Sequence, residues 1–346
     1  MKVRNRKIIR HLSWKSLSAN RTRNIVAICA IALTALLFTS LFTIALSINE
    51  GFQQANFRQV GGYAHGSFKR MTEEQYNALK EDPLIAEQGL SRFLGAPSEP
   101  PFNKSITEIR SADENYAKFS FATPTTGRLP EEGTDEAAMD TSVLELLGVE
   151  PELGKKITLT FDVGANSAKQ TTQTFTLCGW WEKDEAMPAS EVFIPNSRVD
   201  EVLAEVGGVT DNMTGTWNMD VMLESGSAHI DADMQQILAD NGYQSEDVAA
   251  ANYIDYGVNW GYTGANLAEN FDPTTAIFIV VMLLLILFTG YLIIYNVFQI
   301  SVAGDVRFYG LLKTIGTTPR QIRRMIRQQA LLLSVVGIPI GLVLGW

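Results

Sequence analysis

Two long stretches of this sequence contain no charged side chain, and they decide its fold class. The first is NIVAICAIALTALLFTSLFTIALSIN, residues 24–49, and the second is PTTAIFIVVMLLLILFTGYLIIYNVFQISVAG, residues 273–304. A third uncharged stretch covers residues 330–346. A helix of about 20 apolar residues spans the hydrocarbon core of a bilayer. The sequence therefore predicts a membrane protein, with transmembrane helices at 25–48, 273–300 and 330–346.

The charges around these stretches predict the side of the membrane on which each part lies. Residues 1–48 contain eight Lys and Arg and no Asp or Glu. Residues 49–272 contain 14 basic and 37 acidic residues, and residues 273–346 contain six basic residues and one acidic residue. Basic segments beside membrane helices stay in the cytoplasm. We therefore expect a multi-pass protein of the cell membrane, with the N-terminus and residues 301–329 inside and residues 49–272 outside. The acidic outer part argues against a nucleic-acid partner.

Residues 1–24 form a basic segment in front of the first apolar stretch. Its apolar residues, interspersed with Lys and Arg, predict a cytoplasmic amphipathic elbow on the inner leaflet, and a plain basic flank is the alternative. A cleaved signal peptide is another interpretation, because Ala45-Leu46-Ser47 resembles a cleavage site. A secretory signal has an apolar core of about 7–15 residues, which is shorter than this stretch. A retained helix at 25–48 is therefore preferred.

Residues 49–272 are long enough for an extracytoplasmic domain with its own core, and we expect two lobes. Patterns of strands and helices alternate along it, which predicts an α+β domain inserted between the first and second membrane helices. One predicted helix begins at Thr72, and another spans Ile230–Leu238. The predicted strands are Lys156–Phe161, Thr174–Cys178 and Val221–Leu223. Residues 243–272 show no clear period and are expected to be a stalk or a long connection. An internal disulfide is excluded, because Cys178 is the one cysteine of this domain.

The sequence of the outer domain indicates no enzyme site. The segment from Gly148 to Lys156 is the nearest thing to a phosphate-binding loop, but it has one residue too many between its glycines. A turn between a helix and a strand is predicted there instead. The histidines at 11, 65 and 229 are far apart in sequence, and no metal site or Ser/His/Asp set is visible. We expect no catalytic residue, no metal and no cofactor bound by this chain.

The cytoplasmic segment 301–329 has clear helix start and stop signals. The second membrane helix can continue with Phe308, Leu311, Leu312 and Ile315 on one side, and Gly316 is placed to end it in a left-handed cap. Thr318, Pro319 and Gln321 then fit a cap, a first helical position and a capping box. Two helices joined by a tight turn and rooted in the membrane would act as a lever. The alternative is a re-entry helix whose arginines rest on anionic lipid.

At this point the sequence resembles a known family. The run from Tyr309 to Ile322, YGLLKTIGTTPRQI, looks like the signature loop of FtsX-like, or MacB-like, ABC transporter permeases, which joins two helices of a four-helix unit. The matching positions are Gly310, Leu311, Leu312, Lys313, Ile315, Gly316, Thr318, Gln321 and Ile322. The family often has an acidic residue where Phe308 stands. Residues 12–24 resemble its N-terminal elbow, and segments near 127–130, 147–155 and 192–195 are similar to its extracytoplasmic core domain.

The resemblance implies a permease subunit that carries no ATP site of its own. A separate ABC ATPase subunit would bind the cytoplasmic turn, a second permease unit would pair with this one, and the outer domain would handle an unknown cargo or partner. The residues expected to couple to the ATPase are Tyr309, Gly310, Leu311, Leu312, Lys313, Ile315, Gly316, Thr318, Pro319 and Arg320. The lipid bilayer is the remaining partner.

The resemblance also implies that a fourth membrane helix is missing from this FtsX-like domain, residues 273–346. Gly337, Gly341 and Gly345 recur at a spacing of four, and small residues at that spacing allow close helix packing. Their expected partner is the fourth helix or a second permease copy, and ordinary glycine enrichment is the alternative. Two rival functions stay open: a membrane-anchored sensor or binding module, and a regulator of cell-wall hydrolases.

Overall fold

The computed structural model describes residues 11, 14–15, 17–18, 21–164, 169–262, 273–304 and 306–346. Most of the predicted elbow, residues 1–10, 12–13, 16 and 19–20, lies outside the described residues. The chain divides into two compact units, one formed by Met1–Gly51 with Asp272–Trp346 and the other by Phe52–Phe271.

The first unit is helical. Its helices are α1 (Arg21–Val60), α7 (Pro273–Gly304), α8 (Val306–Thr314) and α9 (Pro319–Gly345). In the described part of the chain, three helices are long and apolar enough to cross a membrane, namely α1, α7 and α9. Asp305, between α7 and α8, lies outside the described residues.

Helix α1 is longer than the sequence indicated. It does not end at residue 48, where the charge-free stretch gives way to polar residues, but continues to Val60. The first strong stop signal is Gly61, whose φ of 94° is left-handed, and its N–H donates to the carbonyl of Phe57 at 3.1 Å. The helix therefore outlasts the charge-free stretch, because backbone conformation sets its end.

The second unit is an α+β domain built on one sheet. The described strands are β1 (Gly66–Met71), β2 (Ile85–Ala96), β3 (Thr107–Ala112), β4 (Thr126–Gly127), β5 (Glu136–Asp140), β6 (Lys156–Val163), β7 (Gln170–Trp181), β8 (Ser190–Ile194), β9 (Trp217–Leu223) and β10 (Asp255–Val258). The helices are α2 (Glu73–Leu79), α3 (Glu114–Phe119), α4 (Thr141–Leu147), α5 (Asn196–Glu205) and α6 (Ile230–Asp240). The strand order is β10-β1-β9-β2-β3-β8-β5-β7-β4, and β6 pairs with β2 and β7. The pairs β3–β8 and β5–β7 are parallel, and the other pairs are antiparallel.

The core of this unit consists of separate apolar clusters along the sheet. One cluster lies at β1 and β9 and includes Phe68, Met219 and residues of α6 such as Ile237. A larger one lies at β6, β7 and β8 and includes Phe161 and other fully buried side chains. Burial of such side chains contributes about 1.5–3 kcal/mol each. The domain is therefore held by packing, and Cys29 and Cys178 are both free thiols.

Most local expectations for this domain agree with the structure. Thr72 caps α2 with Gln75 in a capping box, and the predicted strands at 156, 174 and 221 lie within β6, β7 and β9. The segment from Gly148 is a turn after α4, with Gly148 in the left-handed conformation. The expectation of a stalk from residue 243 was wrong for part of that segment, because β10 pairs with β1 as an edge strand. Residues 263–272 lie outside the described residues.

Candidate functional site

Helix α8 presents an apolar ridge to its surroundings. Leu311 is 67% exposed, Ile315 is 78% exposed, and Phe308 is also exposed. Positions separated by three, four and seven residues lie on one side of a helix, so these three side chains form a continuous stripe, here called the α8 ridge. Leu312 was expected on the same side, but it is only 7% exposed. Its side chain is buried within the helical unit, whereas the ridge is left uncovered.

The turn after α8 has a specific hydrogen-bonded geometry. Gly316 adopts a φ of 93°, its N–H donates to the Lys313 carbonyl at 3.1 Å, and the Thr317 N–H donates to the Leu312 carbonyl at 3.0 Å. This is the pair of bonds that defines a Schellman cap, with glycine at its left-handed position. The cap satisfies carbonyls at the end of α8 and fixes the direction in which the chain leaves it.

Helix α9 begins immediately after this turn. Thr318 is its N-cap, Pro319 occupies the first turn, and the Thr318 N–H donates to Gln321 Oε1 at 2.8 Å. These residues therefore occupy the positions assigned to them from the sequence. The helix then runs without a break to Gly345, so its basic first turns and its apolar remainder are one element. Pro339 is accommodated inside it.

The ten predicted coupling residues all lie on α8, the turn or the first turn of α9. Leu312 is buried and Tyr309 is half-buried. The other eight are exposed: Gly310, Leu311, Lys313, Ile315, Gly316, Thr318, Pro319 and Arg320. The structure thus brings the set together on one short helix–turn–helix. Its role in binding an ATPase stays a prediction.

The three glycines of α9 lie against α1. A Cβ built at Gly337 would be 2.9 Å from Ile31 Cγ2, and one at Gly341 would be 2.5 Å from Ala35 Cβ. A Cβ built at Gly345 would be 2.9 Å from the Leu36 carbonyl oxygen. These distances are too short for any larger residue. The surface that the glycines contact in this chain is therefore α1, a partner that the sequence did not indicate.

The contacts also give the relative direction of α1 and α9. Gly337 lies beside Ile28 and Ile31, Gly341 beside Ala32 and Ala35, and Gly345 beside Leu36 and Thr39. Residue numbers increase together along both helices, so the two helices run parallel.

Helix α7 contacts α1 at a different place. A Cβ at Gly290 would be 2.8 Å from Phe38 Cζ and 3.4 Å from Thr34 Cγ2. The Thr34 side chain is buried, and its hydroxyl donates to the Ala30 carbonyl at 2.8 Å within α1. Helix α1 is thus the common packing partner of α7 and α9, a role that its uniformly apolar sequence did not reveal. The glycine at 290 was the available signal.

Two features of the outer domain bear on reactivity. Burial raises the pKa of the Cys178 thiol to about 12, and its Sγ lies 3.4 Å from the Arg128 carbonyl oxygen. This thiol is therefore held in its protonated, unreactive form. Across the described residues, no group of three or more His, Cys, Asp or Glu side chains is placed to hold a metal ion.

The comparisons with known proteins point to the C-terminal part of the chain. Residues 279–346 match the family model described as FtsX-like permease C-terminal. This range contains the α8 ridge, the turn and α9, so the family match covers all three. No curated protein matches the chain.

Two solved structures are similar to part of the chain. One is the extracellular domain of the noncanonic ABC-type transporter YknZ from Gram-positive bacteria, at 17% identity and a TM-score of 0.33, covering 54% of this chain and 88% of that one. The other is the periplasmic region of MacB from Actinobacillus actinomycetemcomitans, at 16% identity and a TM-score of 0.36, covering 61% of this chain and 95% of that one.

Proposed function

We propose that this chain is the permease subunit of an ABC transporter, and that the α8 ridge docks a separate ATPase subunit. The single observation that carries the proposal is the exposed ridge of Phe308, Leu311 and Ile315 within an FtsX-like domain. An apolar stripe at the end of a membrane helix indicates a partner that covers it. The basic residues that follow, Arg320 and Arg323, are exposed beside it and suit an acidic rim.

The turn can pass a displacement into the membrane helices. The Schellman cap at Gly316 and the Gln321 contact at Thr318 fix α8 and the start of α9 against each other. Helix α9 is continuous, and its glycines seat it directly on α1. A push on the ridge would therefore move α9 and α1 as packed bodies, since close-packed interfaces transmit displacement. No charged residue is needed in the spans for this action.

The outer domain would receive this motion through α1. This helix is continuous from Arg21 to Val60. Its last turns belong to the outer unit, where the Phe57 ring lies 4.5 Å from that of Tyr262. We propose that ATP hydrolysis in the partner subunit changes the outer domain, which handles cargo outside the membrane. In this scheme the chain transmits work, and ATP is bound by the partner.

Site-specific photo-crosslinking in the native cell tests the docking surface. A photoreactive amino acid at Ile315 should form an adduct with an ABC ATPase, identified by mass spectrometry. Val306 is the matched control, because it is 62% exposed but lies on the opposite side of α8. Adducts at Ile315 that contain only lipid, or equal ATPase adducts at both positions, would contradict the proposal. Leu311→Asp should also abolish stimulation of that ATPase, whereas Val306→Asp should preserve it.

A further inference from the structure

The outer domain has a cleft over the polar face of its sheet. On β1 and β9 the side chains of Phe68 and Met219 are buried in the apolar core beside α6, whereas Ser67 and Asp220 alternate with them along the strands. Ser67 and Asp220 are direct neighbours in the sheet register. The cleft above this opposite face has a volume of about 830 Å³. That volume is in the range of small-molecule sites, which is about 300–1,000 Å³.

The cleft holds more acidic than basic side chains. Its carboxylates are Glu108, Glu191, Asp220 and Asp255, and its basic groups are Lys69, Arg70 and Arg110. Arg70 forms an ion pair with Asp255, and Arg110 forms one with Glu108. The Nε of Arg110 also lies 3.5 Å from Oε1 of Glu191. The Asp220 carboxylate forms no side-chain hydrogen bond or ion pair with the described residues. With all seven groups ionised, the cleft carries one negative charge in excess.

Lys69 is the remaining cation near Asp220. A Cβ built at Gly257 on β10 would be 3.1 Å from Lys69 Nζ, so the ammonium group lies over the glycine and towards the edge of the sheet. Arg110 and Lys69 both attract the Asp220 carboxylate electrostatically, and neither forms a hydrogen bond with it. The inner part of the cleft at Asp220 is therefore left with an unpaired carboxylate.

A second observation points to a missing ligand group. Ser91 lines the cleft, is 1% exposed, and has a hydroxyl with no hydrogen-bond partner among the described residues. It lies on β2 directly opposite Asn218, two residues from Asp220. A buried polar group without a partner costs about 1–3 kcal/mol, so native sites rarely leave one unmet. The unmet hydroxyl and the unpaired carboxylate lie on the same face of neighbouring strands.

The walls of the cleft supply apolar surface. Phe93 on β2, Met187 and Met213 line it together with small residues of the turn after α1. Methionine side chains adapt to ligands of irregular shape. An apolar body would fit against these residues while a charged group reached the polar floor.

We propose that this cleft binds an organic cation, a protonated amine on an apolar body, with its ammonium group beside Asp220. The proposal rests on the outer domain alone and does not depend on ATPase docking. Burial raises the pKa of the Asp220 carboxyl to about 7, so the cation would favour the ionised form. The charged or titratable groups around Asp220 are Lys69 on β1, Glu108 and Arg110 on β3, Glu191 on β8, Asp255 on β10, Arg70 at the β1 bulge, and Asp113 and Tyr116 at α3.

Fluorescence titration with dansylcadaverine tests the proposal. This probe carries one primary ammonium group on an apolar aromatic body, and its N-acetyl derivative is the uncharged control. The full chain is placed in phosphatidylcholine nanodiscs, and empty nanodiscs give the background for partition into lipid. Saturable binding of the amine, at least tenfold tighter than that of the acetylated probe, is expected. Equal binding of the two probes, or no saturable binding up to millimolar concentration, would overturn the proposal.

Two substitutions with opposite expected effects separate ligand binding from folding. Asp220→Asn should weaken amine binding at least tenfold, whereas Lys69→Gln should tighten it, because it removes a repelling charge. Asp240→Asn, on the exposed end of α6, is the matched control and should change nothing. Between pH 8 and pH 6, amine affinity of the unmodified chain should fall about tenfold as Asp220 is protonated, and Asp220→Asn should remove that dependence. An unchanged affinity in both variants would contradict the proposed site.

Discussion

Replacing Gly316 by alanine should loosen the cytoplasmic turn, and replacing Gly310 by alanine should stabilise the helix before it. The two glycines lie on the same short segment, and a Cβ built at either one meets no atom within 4 Å. Steric overlap is therefore absent from both substitutions. What differs is the backbone, because Gly316 has a φ of 93° whereas Gly310 lies inside α8.

The magnitudes follow from that difference. A residue with a Cβ in the left-handed region costs about 1 kcal/mol relative to glycine. Alanine in a helix interior is favoured over glycine by about 0.8–1 kcal/mol. Since 1.4 kcal/mol is a factor of ten, Gly316→Ala should raise the fraction of opened turn about fivefold, and Gly310→Ala should lower the opening of α8 by a similar factor.

Hydrogen–deuterium exchange of the full chain in nanodiscs measures these changes. The informative amides are those of Ile315, residue 316 and Thr317, because they donate to the carbonyls that end α8. Exchange at these amides should be about fivefold faster in Gly316→Ala. Slower exchange is expected within α8 for Gly310→Ala. Unchanged exchange in Gly316→Ala would refute the argument from backbone strain, and equal acceleration in both variants would show that the added methyl group itself perturbs the segment.

Two further predictions concern packing and pH. Gly341→Leu should separate α9 from α1 and lower the melting temperature of the helical unit by several degrees. The reason is that even a Cβ at this position would lie 2.5 Å from Ala35 Cβ. Val343→Leu, at an exposed position of the same helix, is the control and should leave the melting temperature unchanged. The contribution of His65 to the stability of the α+β domain should fall on acidification below about pH 6.5, by at most about 1.4 kcal/mol per pH unit, because burial lowers the pKa of His65 and its Nδ1 accepts a hydrogen bond from the Leu223 N–H at 2.9 Å. Because the raised pKa of Asp220 acts in the opposite direction, this contribution is taken as the difference between the unmodified chain and His65→Asn. Folding favours the neutral imidazole, so the stabilisation from His65 is complete above the pKa of the unfolded chain. Urea titrations from pH 7.5 to pH 5 should show its loss as a fall in the free energy of unfolding. If the His65→Asn variant shows the same change of this free energy with pH as the unmodified chain, the effect does not come from His65.

The helix stop and start signals between α8 and α9 could be predicted from the sequence because they depend on local interactions. A Schellman cap needs a residue that tolerates positive φ, and Gly316 stands where α8 ends. An N-cap, a proline in the first turn and a capping-box glutamine follow within five residues, and Thr318, Pro319 and Gln321 occupy these positions. Interactions between residues three to five positions apart are specified by the sequence itself.

The burial of residues on α8 was less predictable. Phe308, Leu311, Leu312 and Ile315 are all apolar and fall on one side by helical periodicity. Only the packed structure separates Leu312, which is buried, from the exposed ridge. Periodicity gives the face on which a residue lies, but burial depends on which other element comes to that face. The edge strand β10 was missed for a similar reason, since four residues are too few to show a clear period and the strand is held by backbone pairing with β1.

Taken by itself, the sequence determined three helices long and apolar enough to span a membrane, the α+β domain and the caps around the turn between α8 and α9, because each depends on composition or on residues close in the chain. The tertiary structure alone decided that Gly337, Gly341 and Gly345 pack on α1, and that Asp220, Lys69 and Ser91 meet in one cleft. Strand register pairs Asp220 on β9 with Ser67 on β1, although the two residues are more than 150 positions apart in the sequence. Such pairing is set by the competition among all strands and helices for the same core, which no local pattern records.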